Sequence, residues 1–267
     1  MRGEDDQARR AGHRRPGRDG HVRLGRGGPR GAGRATPQGR GARRPPALTE
    51  PPHVRGGPVV RFLALVAGLF LFALGIALQF ESDLGLGPWD VLNQGISDHT
   101  ALSFGTANVV VALVVLVLAW LLGARIGLGT VANAILVGTF VDLLLALDAV
   151  DRLSGTSLPV RALLLAAAIG LVGLGSGLYI GAAFGAGPRD SLMLVGARRT
   201  GVRIGIVRAV LEVGVAVLGF ALGGTVGIGT VAFALGVGPA VELGFGVLGR
   251  LGLTRPAPAA ASTIRPR

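Results

Sequence analysis

The 267-residue chain has a formal net charge of +12 and no cysteine, and half of its residues are apolar. Such a composition is too apolar for a soluble domain of this size. The lack of cysteine excludes disulfides, thiolate catalysis and cysteine-based metal sites. The four histidines are scattered outside the apolar segments, so neither a metal site nor a cofactor is predicted. No motif pairs a nucleophile with a base, and an enzyme is not predicted either.

The N-terminal segment 1–57 is rich in Arg, Gly and Pro and has almost no apolar periodicity. Residues 1–61 hold fifteen of the 27 basic residues, and all 27 are arginine. A segment of this kind cannot bury enough surface to fold, so we expect a disordered cytoplasmic tail, with a second one at 251–267. Because the basicity belongs to a tail and not to a folded surface, nucleic-acid binding is not expected, and anionic lipid head groups are the partner that suits the tail. An alternative is that translation starts further downstream.

Six apolar segments follow the tail, and each has about the 20 residues that a helix needs to cross a bilayer. They are rich in Leu, Val, Ala and Gly and show no alternation, which favours helices over barrel strands. The six segments are 59–79, 105–122, 128–147, 160–181, 204–222 and 228–249.

The loops between these segments differ in charge, and this difference predicts their orientation. The basic N-terminal tail is placed in the cytoplasm. The acidic segment 80–99 contains no arginine and is placed outside, whereas 182–203 contains four arginines and is placed inside. Six spans then put the C-terminus, which is also basic, in the cytoplasm.

The two halves of the chain are similar when one is shifted by 100 residues. LGLGPWDVL at 84–92 matches FGAGPRDSL at 184–192, and GLGTVANA at 127–134 matches GIGTVAFA at 227–234. About a third of the aligned positions are identical, which indicates a true repeat. Each repeat, 58–147 and 158–250, holds three spans, and an odd number predicts that the second enters from the opposite side. The predicted fold is an all-α membrane protein of two inverted three-helix repeats, each with a short re-entrant or interfacial helix.

A Gly-x-Gly-Pro-x-Asp motif occurs once in each half. Proline suits the first position of a helix, and an Asp two residues later meets the positive end of the helix dipole. About ten residues remain before the next span, enough for a half-helix but too few to cross. Two such helices, one from each face, would meet near the midplane; the alternative is that each Asp only stabilises the start of a surface helix. The motif residues are Gly85, Gly87, Pro88 and Asp90 in the first half and Gly185, Gly187, Pro188 and Asp190 in the second.

Other charged residues also lie in or beside the spans. Arg189, which replaces Trp89 of the first motif, suits the inner interface or attracts an anionic substrate. Charges within a span usually face a partner or a watery cavity. Arg208 and Glu212 are one helical turn apart and either neutralise each other or line a pathway. The matched acids Asp142 and Glu242 are coupling-ion candidates or simply reach the interface.

The stretch GIALQFESDLGLGPWDVLNQGIS at 75–97, the following span with Gly105, and GLGT at 127–130 resemble the YczE/YyaS/YitT family of bacterial integral membrane proteins. LGxGPWDVL is typical of the YczE-like branch. The resemblance covers about residues 60–250. It implies a multi-pass protein of the bacterial inner membrane and specifies no substrate.

The inverted repeat and the paired motifs favour a small transporter or permease-like protein. The alternative function is a membrane scaffold or accessory protein that acts on a partner in the same bilayer. A water-accessible cavity lined by the motif carboxylates favours the transporter, and a fully packed interior favours the scaffold. The sequence leaves the small-molecule substrate and homo-oligomer formation open.

Overall fold

A computed structural model describes residues 51–147 and 157–255. Most of both predicted tails, and the loop between the halves, lie outside these described residues. The predictions of disorder and of lipid binding for the N-terminal tail therefore stay predictions.

The described residues form eight helices and two very short strands. Six of the helices are long and apolar enough to cross a membrane, so the prediction of six spans is confirmed and the chain is a multi-pass membrane protein. The spans are α1 (Pro58–Ser82), α3 (Phe104–Leu121), α4 (Leu128–Ala146), α5 (Leu158–Gly181), α7 (Ile204–Ala221) and α8 (Ile228–Arg250). The other two helices, α2 (Pro88–Asp98) and α6 (Pro188–Thr200), have 11 and 13 residues and are too short to span.

The eight helices form two sets of four whose starting positions differ by 100 residues. The starts at 58, 88, 104 and 128 recur at 158, 188, 204 and 228. The duplication read from the sequence therefore reappears as a duplication of helices, and each α-helix of the first half has a counterpart in the second.

The first helix of each half packs against the first helix of the other half. The contact is close because glycines face each other. A Cβ atom added at Gly68 would lie 2.8 Å from the carbonyl oxygen of Gly175, and one added at Gly175 would lie 2.6 Å from that of Gly68. Small residues let the backbones approach in this way, which is how helices commonly associate in a membrane.

Two equivalent arginines show that α1 and α5 run antiparallel. Arg61, near the start of α1, donates from Nε to the carbonyl oxygen of Ala182 just after α5, at 2.8 Å. Arg161, near the start of α5, donates from Nε to the carbonyl oxygen of Ser82 at the end of α1, also at 2.8 Å. Each arginine satisfies a carbonyl that the end of a helix leaves without an internal partner.

The loop before each short helix is held by a glycine of the repeated motif. Gly85 and Gly185 have φ values of +108° and +127°, which side chains rarely adopt. A Cβ atom at Gly85 would also lie 2.5 Å from the backbone nitrogen of Gly227, and one at Gly185 would lie 2.7 Å from Oγ1 of Thr130. Each loop thus docks on the start of the last helix of the opposite half, and this docking positions α2 and α6 against that half.

Residues that the sequence assigned to the two tails contain the short strands. β1 (His53–Val54) pairs antiparallel with β2 (Thr254–Arg255). The pairing holds the segment before α1 next to the segment after α8.

Candidate functional site: a charged cavity between the halves

A cavity of about 350 Å³ lies between the two halves, and all eight helices contribute residues to its lining. Both short helices begin at this cavity. Six of the seven charged residues predicted from the sequence line it, and Asp142 is the exception. The six are Asp90, Arg189, Asp190, Arg208, Glu212 and Glu242.

Asp90 lies in the first turn of α2 and is only 2% exposed. Its Oδ1 accepts a hydrogen bond from Nδ2 of Asn93 at 3.1 Å and lies 3.8 Å from a terminal nitrogen of Arg189. The guanidinium of Arg189 also stacks over the ring of Trp89, 5.1 Å from its centroid. Burial raises the pKa of the Asp90 carboxyl, and the charge of Arg189 and the hydrogen bond from Asn93 oppose this rise. The starts of α2 and α6 are thus joined across the cavity by one ion pair.

Asp190 is the counterpart of Asp90 in the second half and is half-buried. Its Oδ2 accepts a hydrogen bond from the hydroxyl of Tyr179 on α5 at 2.8 Å. Sequence reasoning missed Tyr179. The available clue is that the only tyrosine of the chain occupies the repeat position of Gln79, another polar residue in a span.

A second pair of charges lies on α7. Nε of Arg208 donates to Oε1 of Glu212 at 2.7 Å, one helical turn further on. Glu242 on α8 is exposed at the margin of the cavity. Within the described part of the chain, no group of three acidic or histidine side chains is arranged to hold a metal ion.

Asn108 on α3 is a second residue that sequence reasoning missed. It lines the cavity and is 2% exposed. Its side chain lies beside Asp90 and, like that of Asn93, opposes the rise in the pKa of that carboxyl through hydrogen bonding. Its counterpart in the repeat, Arg208, was the clue that this position faces the interior.

On the first-half side of the cavity, α3 and α4 are closely packed. A Cβ atom at Gly105 would lie only 2.1 Å from the carbonyl oxygen of Gly138. Asp142 reinforces this contact from α4: it accepts hydrogen bonds from the backbone nitrogen of Gly105 at 2.7 Å, from the Thr106 hydroxyl at 3.3 Å, and from the Ser103 hydroxyl. Asp142 therefore holds the start of α3 against the end of α4.

The equivalent helices of the second half, α7 and α8, are apart at the same place. A Cβ atom added at Gly205 or Gly238 would meet no described atom within 4 Å. Gly219 is the only buried residue of α7, and Glu242 makes no ion pair with a described residue. The cavity is lined by both helices at this opening. Both halves thus have glycine at these two positions, but only the first half forms the close contact between its helices.

The comparisons with known proteins agree with the resemblance noted in the sequence. A protein of Haemophilus influenzae described as "Uncharacterized protein" is 36% identical over 187 residues, which cover 70% of this chain and 84% of that protein. "Uncharacterized membrane protein YczE" of Bacillus subtilis is 31% identical over 180 residues, 66% of this chain and 81% of its own length. "Uncharacterized protein YyaS" of the same organism is 27% identical over 173 residues, covering 64% and 85% of the two chains. No solved structure matches the chain.

The family model with the description "Family of unknown function (DUF6198)" matches residues 59–244, which include seven of the eight helix starts and every charged residue that lines the cavity. The resemblance to YczE and YyaS is confirmed, and the chain belongs to the DUF6198 family of membrane proteins.

Proposed function

We propose that this protein is a small-molecule transporter of the bacterial inner membrane that works by alternating access between two inverted repeats. The main support for the proposal is that two helix–helix contacts beside the central cavity differ, although the repeat makes them equivalent. The α3–α4 contact is closed, and the equivalent α7–α8 contact is open. A scaffold needs neither a polar cavity nor two alternative contacts around it.

The antiparallel pairing of α1 with α5 supports the inverted arrangement. These helices are equivalent in the repeat, and opposite directions are what is expected if the halves enter the membrane from opposite sides. Transporters built from such repeats bind their substrate near the midplane, where broken helices start. Here α2 and α6 are those helices, and their first-turn residues Asp90 and Arg189 meet across the cavity.

With both termini in the cytoplasm, the closed contact faces outward and the open one faces inward. The start of α3 and the end of α4 then lie on the outer side, and the start of α7 and the end of α8 lie on the inner side. We therefore propose that the described conformation is the inward-facing one. In the outward-facing conformation, α7 closes on α8 while α3 separates from α4, since an inverted repeat exchanges the roles of its halves.

The residues at the open contact are suited to closing. Gly205 and Gly238 give α7 and α8 the same small surfaces that Gly105 and Gly138 give α3 and α4. Arg203 occupies the repeat position of Ser103, and Glu242 that of Asp142. Closure would replace the serine–aspartate hydrogen bond of the first half with an arginine–glutamate ion pair in the second, which is a stronger, charge-assisted contact.

A proline next to the open contact supports movement of α8. Pro239 lies inside this helix and has no backbone N–H, so the hydrogen bond to the carbonyl four residues earlier is absent. Helices bend at such positions. The counterpart in α4 is Thr139, which keeps a regular helix and donates its hydroxyl to the carbonyl oxygen of Ile135 at 2.9 Å.

Disulfide cross-linking tests the proposal. The chain contains no cysteine, so a disulfide within it can form only between the two introduced residues. The double variant Arg203→Cys with Glu242→Cys is expected to form a disulfide in oxidised membrane vesicles whenever α7 closes on α8. The matched variant Ser103→Cys with Asp142→Cys reports the α3–α4 contact, which has lost the Asp142 hydrogen bonds in this variant and is trapped by the disulfide whenever it closes. Efficient cross-linking of the 103–142 pair together with none at 203–242, even after prolonged oxidation, would mean that the second contact never closes and would contradict the transporter.

One observation favours the alternative function, a membrane scaffold. Ten of the 18 residues of α7 are exposed, and they include the apolar side chains of Val210, Val213 and Val217. Lipid covers such a face in a transporter, whereas another membrane protein covers it in a scaffold. Polar substitutions on this face that leave cross-linking at 203–242 intact but abolish co-purification of one defined partner would favour the scaffold.

A further inference from the structure

The charges that line the cavity do not balance. Four carboxylates face two guanidinium groups, and both guanidiniums are already engaged. Arg208 is paired with Glu212 at 2.7 Å, and Arg189 lies 3.8 Å from Asp90. Asp190 and Glu242 therefore have no basic partner within the described residues.

The start of α6 offsets only part of the charge of Asp190. Its N-terminus carries the equivalent of about half a positive charge, which leaves roughly half a negative charge at Asp190. Glu242 is exposed at the margin, where solvent screens its charge. A net negative charge at the half-buried Asp190 favours a positively charged ligand, because charges interact more strongly at low dielectric.

The cavity already contains a cationic group, the guanidinium of Arg189, and an organic cation could bind through the same kinds of contact. The guanidinium of Arg189 lies over the ring of Trp89, 5.1 Å from its centroid, and 3.8 Å from the carboxylate of Asp90. Tyr179 and Phe233 add further aromatic surface to the lining. Aromatic faces attract cations, and most strongly when the site excludes water.

The size of the cavity limits what can bind in it. A volume of about 350 Å³ suits a compact organic molecule.

We infer that the substrate is a monovalent organic cation, of the amine or guanidinium class, whose charged end lies between Asp190 and the aromatic wall formed by Trp89 and Tyr179. This inference rests on the proposed transport function and names the class of substrate that the cavity takes. Arg189, which the sequence suggested as an attractor of anions, instead pairs with Asp90 and leaves Asp190 as the half-buried carboxylate without a basic partner among the described residues.

The test uses the fluorescence of Trp89, which lines the cavity. The chain has only two tryptophans, and Trp120 is 58% exposed on α3 and outside the lining. The full-length variant Trp120→Phe in lipid nanodiscs therefore reports on the cavity alone. It is titrated with phenylguanidinium, with its neutral analogue phenylurea, and with the anion benzenesulfonate.

Phenylguanidinium is expected to change Trp89 fluorescence saturably, and the other two probes are not. Asp190→Asn should weaken phenylguanidinium binding about tenfold or more, because it removes a charge-assisted contact. The matched control Asp98→Asn alters an exposed acid at the end of α2, outside the cavity, and should leave binding unchanged.

The alternative outcomes separate this inference from the proposed function. Tighter binding of benzenesulfonate, equal binding of phenylurea, or no binding of phenylguanidinium at millimolar concentration would overturn the cationic substrate. The transporter would still stand in each case if the 203–242 pair cross-links. Cation binding without any cross-link at 203–242 would instead support the site and contradict alternating access.

Discussion

Replacing glycine by alanine at two equivalent positions should change stability in opposite directions. At Gly105 the new Cβ would lie 2.1 Å from the carbonyl oxygen of Gly138 and 2.5 Å from Cγ of Asp142, whereas ordinary contacts begin near 3.4 Å. α3 and α4 must therefore separate by more than 1 Å. Overpacking of this kind costs about 1–3 kcal/mol, and stretching the Gly105–Asp142 hydrogen bond adds about 1 kcal/mol.

The matched variant Gly205→Ala places its Cβ where no described atom lies within 4 Å. Alanine is a better helix former than glycine, so this variant should stabilise the protein by up to about 1 kcal/mol. Thermal unfolding in detergent measures the contrast. With about 2–4 °C per kcal/mol for a chain of this size, Tm should fall by several degrees for Gly105→Ala and rise slightly for Gly205→Ala.

Transport measurements add a second contrast. The added methyl of Gly205→Ala would block closure of α7 on α8, so this variant should be stable but inactive. Equal shifts of Tm for the two variants would refute the difference in packing between the halves. A fully active Gly205→Ala would refute the closure of α7 on α8.

Three further predictions concern topology, the tail and the motif acids. A reporter fused to the C-terminus should behave as cytoplasmic, because the terminal segments are basic; a periplasmic result would mean that the number of spans that cross the membrane is wrong. Deleting residues 2–50 should leave membrane insertion and Tm nearly unchanged, because that segment is expected to bury nothing; a large fall in Tm would show that it packs on the helices. Asp90→Asn and Asp190→Asn should each impair transport at normal expression; loss of about 0.3–1 kcal/mol of stability with full activity would mean that both acids only stabilise helix starts.

The sequence predicts the helices well because their length and apolar composition are local properties. The six spans begin and end within a few residues of the predicted limits, and α2 and α6 start at Pro88 and Pro188, as the repeated motif indicates. Proline at the first position and a glycine before it determine these starts without help from distant residues.

Contacts between the halves could not be predicted in the same way. The sequence presents Asp142 and Glu242 as equivalents, yet only Asp142 holds its neighbouring helix. The difference depends on the separation of α7 from α8, which no local pattern encodes. The Arg189–Asp90 pair and the approach of Tyr179 to Asp190 likewise depend on how the halves pack, and a matched position in the repeat was the only clue to them.

The central claim, that the two contacts alternate, is tested most directly by paired distance measurements with spin labels. The cysteine-free chain allows labels at Val110 and Leu143 across α3–α4, and at the equivalent Val210 and Leu243 across α7–α8; all four side chains are exposed. Each pair is measured in nanodiscs with and without Asp142→Ala, which removes the hydrogen bonds that hold α3 to α4. Alternating access predicts that this substitution lengthens the 110–143 distance and shortens the 210–243 distance in the same population of molecules. Lengthening at 110–143 with no change at 210–243, or lengthening of both, would contradict it.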